Sequence, residues 1–321
     1  MRKFIIGGLI ILLVVISIFV LSFIKQEGSG KQEEKLTVVT TLFPLYDFAK
    51  NIGGDKVEVI MLLPPGVEPH GFEPTPSDIV KINEADLFVY TGEFMETWAA
   101  DIIQGITEKD VKIVDASLGI ELMKEEEDGE NADKHEEESE HQHGGVDPHI
   151  WLDFDNAQKI VETIATSMSE KDPVNAKYFE DNANTYKNKL MELDNNYQTS
   201  LTNCQNREIV YGGHYAFGYL AKKYDLSYVA AQGFSPNSEP TAKDLVELVQ
   251  QIRENNISYV YYEELSSSKI AETLAEETQA QILLLNGAHN LSKEDYENRV
   301  TFISLMENNL NNLVQGLGCI K

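Results

Sequence analysis

Two blocks of the chain alternate short apolar runs with segments of helical periodicity, and that alternation restricts each block to a parallel sheet flanked by helices. In the first block, apolar runs at 36–42, 57–63, 87–91 and 111–114 read as strands, with helices over 46–52 and 77–85. The pattern returns with strands at 208–211, 227–231, 257–262 and 282–285, and helices over 215–224, 242–255, 269–278 and 293–314. Thr241 with Asp244, and Ser292 with Asp295, have the spacing of capping boxes and start two of these helices.

Between the blocks, Phe179, Ala183, Tyr186, Leu190, Leu193, Tyr197 and Leu201 recur every three or four residues. That spacing lays one apolar stripe along a helix, and Pro173 fits near its start. A helix of about 30 residues is roughly 45 Å long. It is either the core helix of one domain or a strut packed on both blocks that limits hinge motion, and its place between them favours the strut. The expected fold is α/β, with two parallel-sheet lobes bridged by one long helix: a first lobe over 35–172, the helix within 173–204 and a second lobe over 205–321.

The N-terminus reads Met1-Arg2-Lys3 followed by an apolar run over 4–24. About 20 such residues span the ~30 Å hydrocarbon layer, more than the usual h-region of a signal peptide. No Ala-x-Ala cleavage pattern follows, and no cysteine stands nearby to take a lipid. An uncleaved membrane anchor is therefore expected over 1–24, with a cleaved signal as the alternative. The two cations leave the N-terminus inside the cell and the rest outside. Residues 25–34 read as a flexible tether.

A formal charge of -27 over 321 residues argues against nucleic-acid binding, which needs Lys and Arg against phosphate, and favours attraction of cations. Residues 121–145 are dominated by Glu and hold His135, His141 and His143. With almost no apolar side chains, this insertion is expected to be disordered; a solvated acidic loop is the plain reading, and loose zinc binding the sharper one. Cys204 and Cys319 are either two thiols or, outside the cell, a disulfide. They lack the CxxC spacing of a zinc site.

Of the remaining histidines, His70 follows the strand at 57–63 through a Pro-Pro-Gly loop, His214 follows 208–211 through Gly212-Gly213, and His289 follows 282–285. Ligands of open α/β sheets bind beyond the carboxyl ends of the strands, so these three fall where a site would form. His149 follows the acidic insertion in Asp147-Pro148-His149-Ile150-Trp151-Leu152-Asp153.

Three runs carry a family resemblance. Leu63-Pro64-Pro65-Gly66-Val67-Glu68-Pro69-His70-Gly71-Phe72-Glu73-Pro74-Thr75-Pro76, the run around His149, and Gly213-His214-Tyr215-Ala216-Phe217-Gly218-Tyr219-Leu220 resemble, in order, the signatures of the zinc/manganese solute-binding proteins of ABC transporters. The resemblance covers essentially everything after residue 35. It implies two lobes bridged by a long helix, with a metal site in the cleft between them. His70 and His149 would come from the first lobe and His214 from the second, and zinc as the transported ligand is implied by His at the third position and by the His-rich insertion. It further implies an ABC permease as partner, a receptor rather than an enzyme, and a monomer facing the cell exterior.

The chain departs from the family pattern at the fourth position. Zinc members often carry Asn-Pro-Leu-Glu there, whereas this chain has Asn286-Gly287-Ala288-His289. A four-histidine tetrahedral site is expected, with Glu263 or water as the competing fourth ligand. Glu68, Asp147 or Glu263 would then offset the metal charge by orienting a ligand N–H. A manganese receptor of the same family is the nearest alternative. A zinc hydrolase is disfavoured by the lack of an HExxH motif, and an adhesin would depend on partners that the residues do not reveal. The sequons at Asn256 and Asn290 are short and carry little weight.

Overall fold

The computed structural model describes residues 35–106, 110–124, 145–234, 236 and 238–320. The anchor and tether expected over 1–34 lie outside the described residues, as do His135, His141 and His143 of the acidic insertion. Among the described residues no helix is long and apolar enough to cross a membrane.

The first lobe runs β1 (Leu36–Thr40), α1 (Phe43–Gly53), β2 (Val57–Met61), α2 (Pro76–Glu84), β3 (Leu87–Tyr90), α3 (Ala99–Gly105), β4 (Lys112–Asp115) and α4 (Phe154–Lys171). Then comes α5 (Ala176–Ser200). The second lobe runs β5 (Glu208–Tyr211), α6 (Gly218–Lys223), β6 (Ser227–Ala230), α7 (Ala242–Glu254), β7 (Tyr259–Tyr262), α8 (Lys269–Thr278), β8 (Gln281–Leu284), α9 (Lys293–Glu297) and α10 (Phe302–Gly316). The sheets have orders β2-β1-β3-β4 and β6-β5-β7-β8, and the paired strands are parallel. All eight expected strands are present, within two residues at each end.

Both faces of each sheet are covered, and successive side chains on a strand serve opposite faces. Val38 joins the main core while Val39 packs with Leu62, Ile82 and Phe88 on the outer side. In the second lobe, Ile209 and Tyr211 face the main core, and Val210 packs with Leu248, Val260 and Leu274 under α7 and α8. The main core is continuous between the lobes. It runs from Phe48 through Phe179 and Tyr197 to Phe302 and Leu313.

Helix α5 supplies that continuity, packing against α1, α4 and α10. Every residue of the expected stripe is buried. The helix also reaches both lobes with tyrosine hydroxyls: Tyr178 donates to Asp55 Oδ1 at 3.1 Å and Tyr186 to Asp47 Oδ2 on α1 at 2.7 Å, and Tyr197 donates to the Met306 carbonyl on α10 at 2.6 Å. At 25 residues it is about 38 Å long, shorter than the ~45 Å expected, because it starts after Asn175 and ends at Ser200, inside the expected 173–204 at both ends. Cys204, just past its end, forms a disulfide with Cys319.

Several helices differ from expectation. The single helix expected over 293–314 is two. Arg299 adopts φ +57, in the left-handed region that ends a helix, and Thr301 restarts the chain by capping Ser304. Helix α6 begins only at Gly218, not at 215. Helices α3 and α4 were not expected, although α4 carries an apolar period at Ala157, Ile160, Val161 and Ile164 and an N-cap at Asp153. The Thr241–Asp244 capping box forms in full, whereas Ser292 only caps Asp295 N. Asn290 is fully buried, which excludes its sequon as a glycan site in the folded chain.

Candidate metal centre

His70, His149, His214 and His289 converge beyond the carboxyl ends of the strands, and one nitrogen from each lies within 4.8 Å of the other three. His214 Nε2 is 3.2 Å from His70 Nε2 and 3.3 Å from His149 Nε2. Four nitrogens held tetrahedrally at the zinc–imidazole bond length would stand about 3.3 Å apart. Two of the separations already match that value.

The sequence around each histidine explains its position. His70 rides on the loop after β2, and Gly66 turns that loop at φ +84. Glu68 folds the loop tip by accepting hydrogen bonds from His70 N and Gly71 N, both at 3.0 Å. Burial raises the Glu68 pKa, and these two bonds partly oppose the rise.

His149 is fixed by its own neighbour. Asp147 Oδ1 accepts from His149 N at 3.0 Å and lies 2.7 Å from His149 Nδ1. A 3-10 turn, Ile150–Leu152, follows and leads into α4.

His214 follows β5 through two glycines. A Cβ on Gly213 would stand 2.7 Å from the Tyr211 ring and 2.8 Å from Glu263 Oε2, so only glycine fits there. Glu263, just past β7, lies with Oε1 2.7 Å from His214 Nδ1. A carboxylate at Nδ1 leaves Nε2 for the cluster in both His149 and His214.

His289 follows β8 and is 3% exposed; its Nε2 is buried and makes no hydrogen bond. Burial, and then the three neighbouring imidazoles, hold its pKa well below the ordinary histidine value. The start of its loop is tied to the second lobe. Asn309 exchanges hydrogen bonds with Asn286 N and O at 2.8 and 2.7 Å, and Glu264 accepts from Gly287 N at 3.1 Å. Burial, with Glu263 adding to it, pushes the Glu264 carboxyl up to about 8.

All four expected ligand residues therefore come together. Of the three expected carboxylate partners, Asp147 and Glu263 each approach a ring nitrogen, while Glu68 binds backbone. Glu263, the alternative fourth ligand, stands behind His214 on the side away from the cluster. Sequence reasoning missed Trp151, Glu264 and Asn290 as supports of the site. Trp151 donates to the Gly287 carbonyl at 2.9 Å across the lobes. It lies inside the His149 motif, so its position was a signal; Asn290 had none beyond following His289.

A borderline cation that prefers nitrogen donors suits this arrangement, and two carboxylates behind the rings offset its charge.

Comparison with known proteins agrees with this architecture. A high-affinity zinc uptake system protein, ZnuA, of Bacillus subtilis (strain 168) is 41% identical over 293 residues, covering 91% of each chain. The zinc-binding lipoprotein AdcA of Streptococcus pneumoniae (strain ATCC BAA-255 / R6) is 37% identical over 303 residues, which is 94% of this chain but 60% of that protein. The crystal structure of the metal-dependent lipoprotein YcdH from Bacillus subtilis superposes with a TM-score of 0.75 at 41% identity, covering 88% of this chain and 100% of that one. The Zn(II)-bound ZnuA-like domain of Streptococcus pneumoniae AdcA gives 0.74 at 37%, covering 88% and 99%. The model of the family described as zinc-uptake complex component A, periplasmic, matches residues 38–316, and the chain belongs to that ZnuA family of solute-binding receptors.

Proposed function

We propose that this protein is the extracellular zinc receptor of an ABC-type uptake system, capturing Zn²⁺ in the cleft between its lobes and handing it to a membrane permease. His70, His149, His214 and His289 are its four ligands. The observation that carries this reading is the convergence of four imidazole nitrogens within 4.8 Å, with carboxylates behind two of the rings.

An all-nitrogen donor set favours zinc over the oxygen-preferring Mn²⁺. Four protein donors fill a tetrahedral shell and leave no place for an activated water, which suits carriage of the ion and not hydrolysis. The receptor works as a monomer held at the outer face of the cell membrane; the apolar run at 4–24 and the lipoprotein relatives support the tethering.

Metal analysis of purified 35–321, with Zn²⁺ and Mn²⁺ in competition, tests the function. One tightly held zinc per chain that Mn²⁺ does not displace is expected. A preference for Mn²⁺, or no tight site, would overturn the reading. His289→Ala tests the fourth ligand, and an unchanged dissociation constant would remove His289 from the shell.

A further inference from the structure

We infer that Asn290 is a positioning residue for His289, clasping the His289 loop of the second lobe onto the His70 loop of the first. The inference rests on the four-histidine reading above. Asn290 is fully buried. Its Nδ2 donates to the Pro64 carbonyl at 2.7 Å and the Val67 carbonyl at 2.9 Å, and its Oδ1 accepts from Leu291 N at 2.8 Å. Both amide hydrogens are thus spent on the loop that carries His70. The two carbonyls identify the nitrogen, and the Leu291 N–H identifies the oxygen.

Three further bonds join the same segments, with the donors on the first lobe. Gly66 N donates to the Leu291 carbonyl at 2.7 Å, Phe43 N to the His289 carbonyl at 3.2 Å, and Trp151 Nε1 to the Gly287 carbonyl at 2.9 Å. Every donor in this set belongs to the first lobe, and every acceptor to residues 287–291 or, for Asn290, the reverse. The His289 loop therefore bonds to both lobes: Asn309 and Glu264 of the second hold its start, and the first holds Gly287, His289, Asn290 and Leu291. Few other side chains can serve at 290. Aspartate would aim a carboxylate at two carbonyl oxygens, and alanine would remove both bonds, leaving the Pro64 carbonyl only its bond from Val67 N.

The test compares Asn290→Ala, Asn290→Asp, His289→Ala and the Asn290→Ala/His289→Ala double variant. Zn²⁺ dissociation constants come from chelator competition, and coordination from the visible spectrum of bound Co²⁺. Asn290→Ala is expected to weaken zinc about tenfold, as loss of an outer support does. In the His289→Ala background the same change should have almost no further effect, because Asn290 acts through His289. The Co²⁺ band of Asn290→Ala should move toward that of His289→Ala, which a general loss of stability would not produce. Should Asn290→Ala not fold, Asn290→Ser carries the same comparison. Wild-type affinity in Asn290→Ala beside a weakened His289→Ala would overturn the clasp alone, as would full additivity in the double variant. Wild-type affinity in His289→Ala would instead remove the four-histidine reading, and the clasp with it.

Discussion

Glu263 places Oε1 2.7 Å from Nδ1 of His214, on the side of the ring opposite the nitrogen that faces His70 and His149. A carboxylate there holds the Nδ1–H tautomer and makes Nε2 a better donor to a metal. Glu263→Gln keeps the shape and removes the charge. Zinc affinity should fall about 10- to 100-fold in a chelator competition. A dissociation constant within twofold of wild type would mean that Glu263 only packs against the ring.

Gly213 makes that relationship possible. A Cβ 2.7 Å from the Tyr211 ring and 2.8 Å from Glu263 Oε2 is closer than such contacts occur, so Gly213→Ala must displace one of these neighbours, and the Glu263 carboxylate is expected to move off His214. The variant should lose about as much zinc affinity as Glu263→Gln. The two changes together should lose little more than either alone, since they break one contact. Additive losses in the same titration would show that Gly213 serves the loop backbone instead.

How much of this was legible in the sequence depends on whether the determinants are local. The strands were readable because alternating Val, Ile, Phe and Tyr side chains serve the two sheet faces, as Val38 and Val39 do. The stripe of α5 was readable for the same reason at helical period. The break before α10 was not, because Arg299 at φ +57 is a residue that does not announce a left-handed turn. The four histidines were found from their places after strands and from the family motifs. Their supports were harder to read. Glu263, 49 residues beyond His214 in the chain, meets it only because β5 and β7 are neighbours. Asn290 reaches residues more than 220 positions away.

Glu96 gives the fold a pH dependence of its own. It is 3% exposed, and accepts from Thr41 Oγ1 at 2.5 Å and from Thr91 N and Gly92 N. Burial outweighs these bonds and pushes its carboxyl up to about 7 from 4.5. Between those values the unfolded chain has released the proton and the folded chain keeps it. Stability therefore falls as pH rises from about 4.5 to about 7, by roughly 3 kcal/mol from this group, and is flat outside that window. Urea unfolding of the metal-free protein across this range should show the slope, and Glu96→Gln should flatten it. An unchanged slope in Glu96→Gln would assign it to other groups.

The Cys204–Cys319 disulfide should govern stability and leave zinc binding alone. It spans a sequence separation of 115 residues that contains the whole second sheet. By the chain-entropy model, closing a loop of that length stabilises the fold by roughly 4–5 kcal/mol. Cys204 precedes the start of β5, while His214 follows its end, so the cross-link and the metal centre sit at opposite ends of the same strand. Cys204→Ser/Cys319→Ser should accordingly unfold at a much lower denaturant concentration, and reduction of the native protein should reproduce the shift. In buffer without denaturant the double variant should bind zinc within twofold of wild type. A large loss of affinity in the folded double variant would mean that the cross-link transmits its constraint along β5 to His214, and that the second lobe is less rigid than its packing on α5 implies.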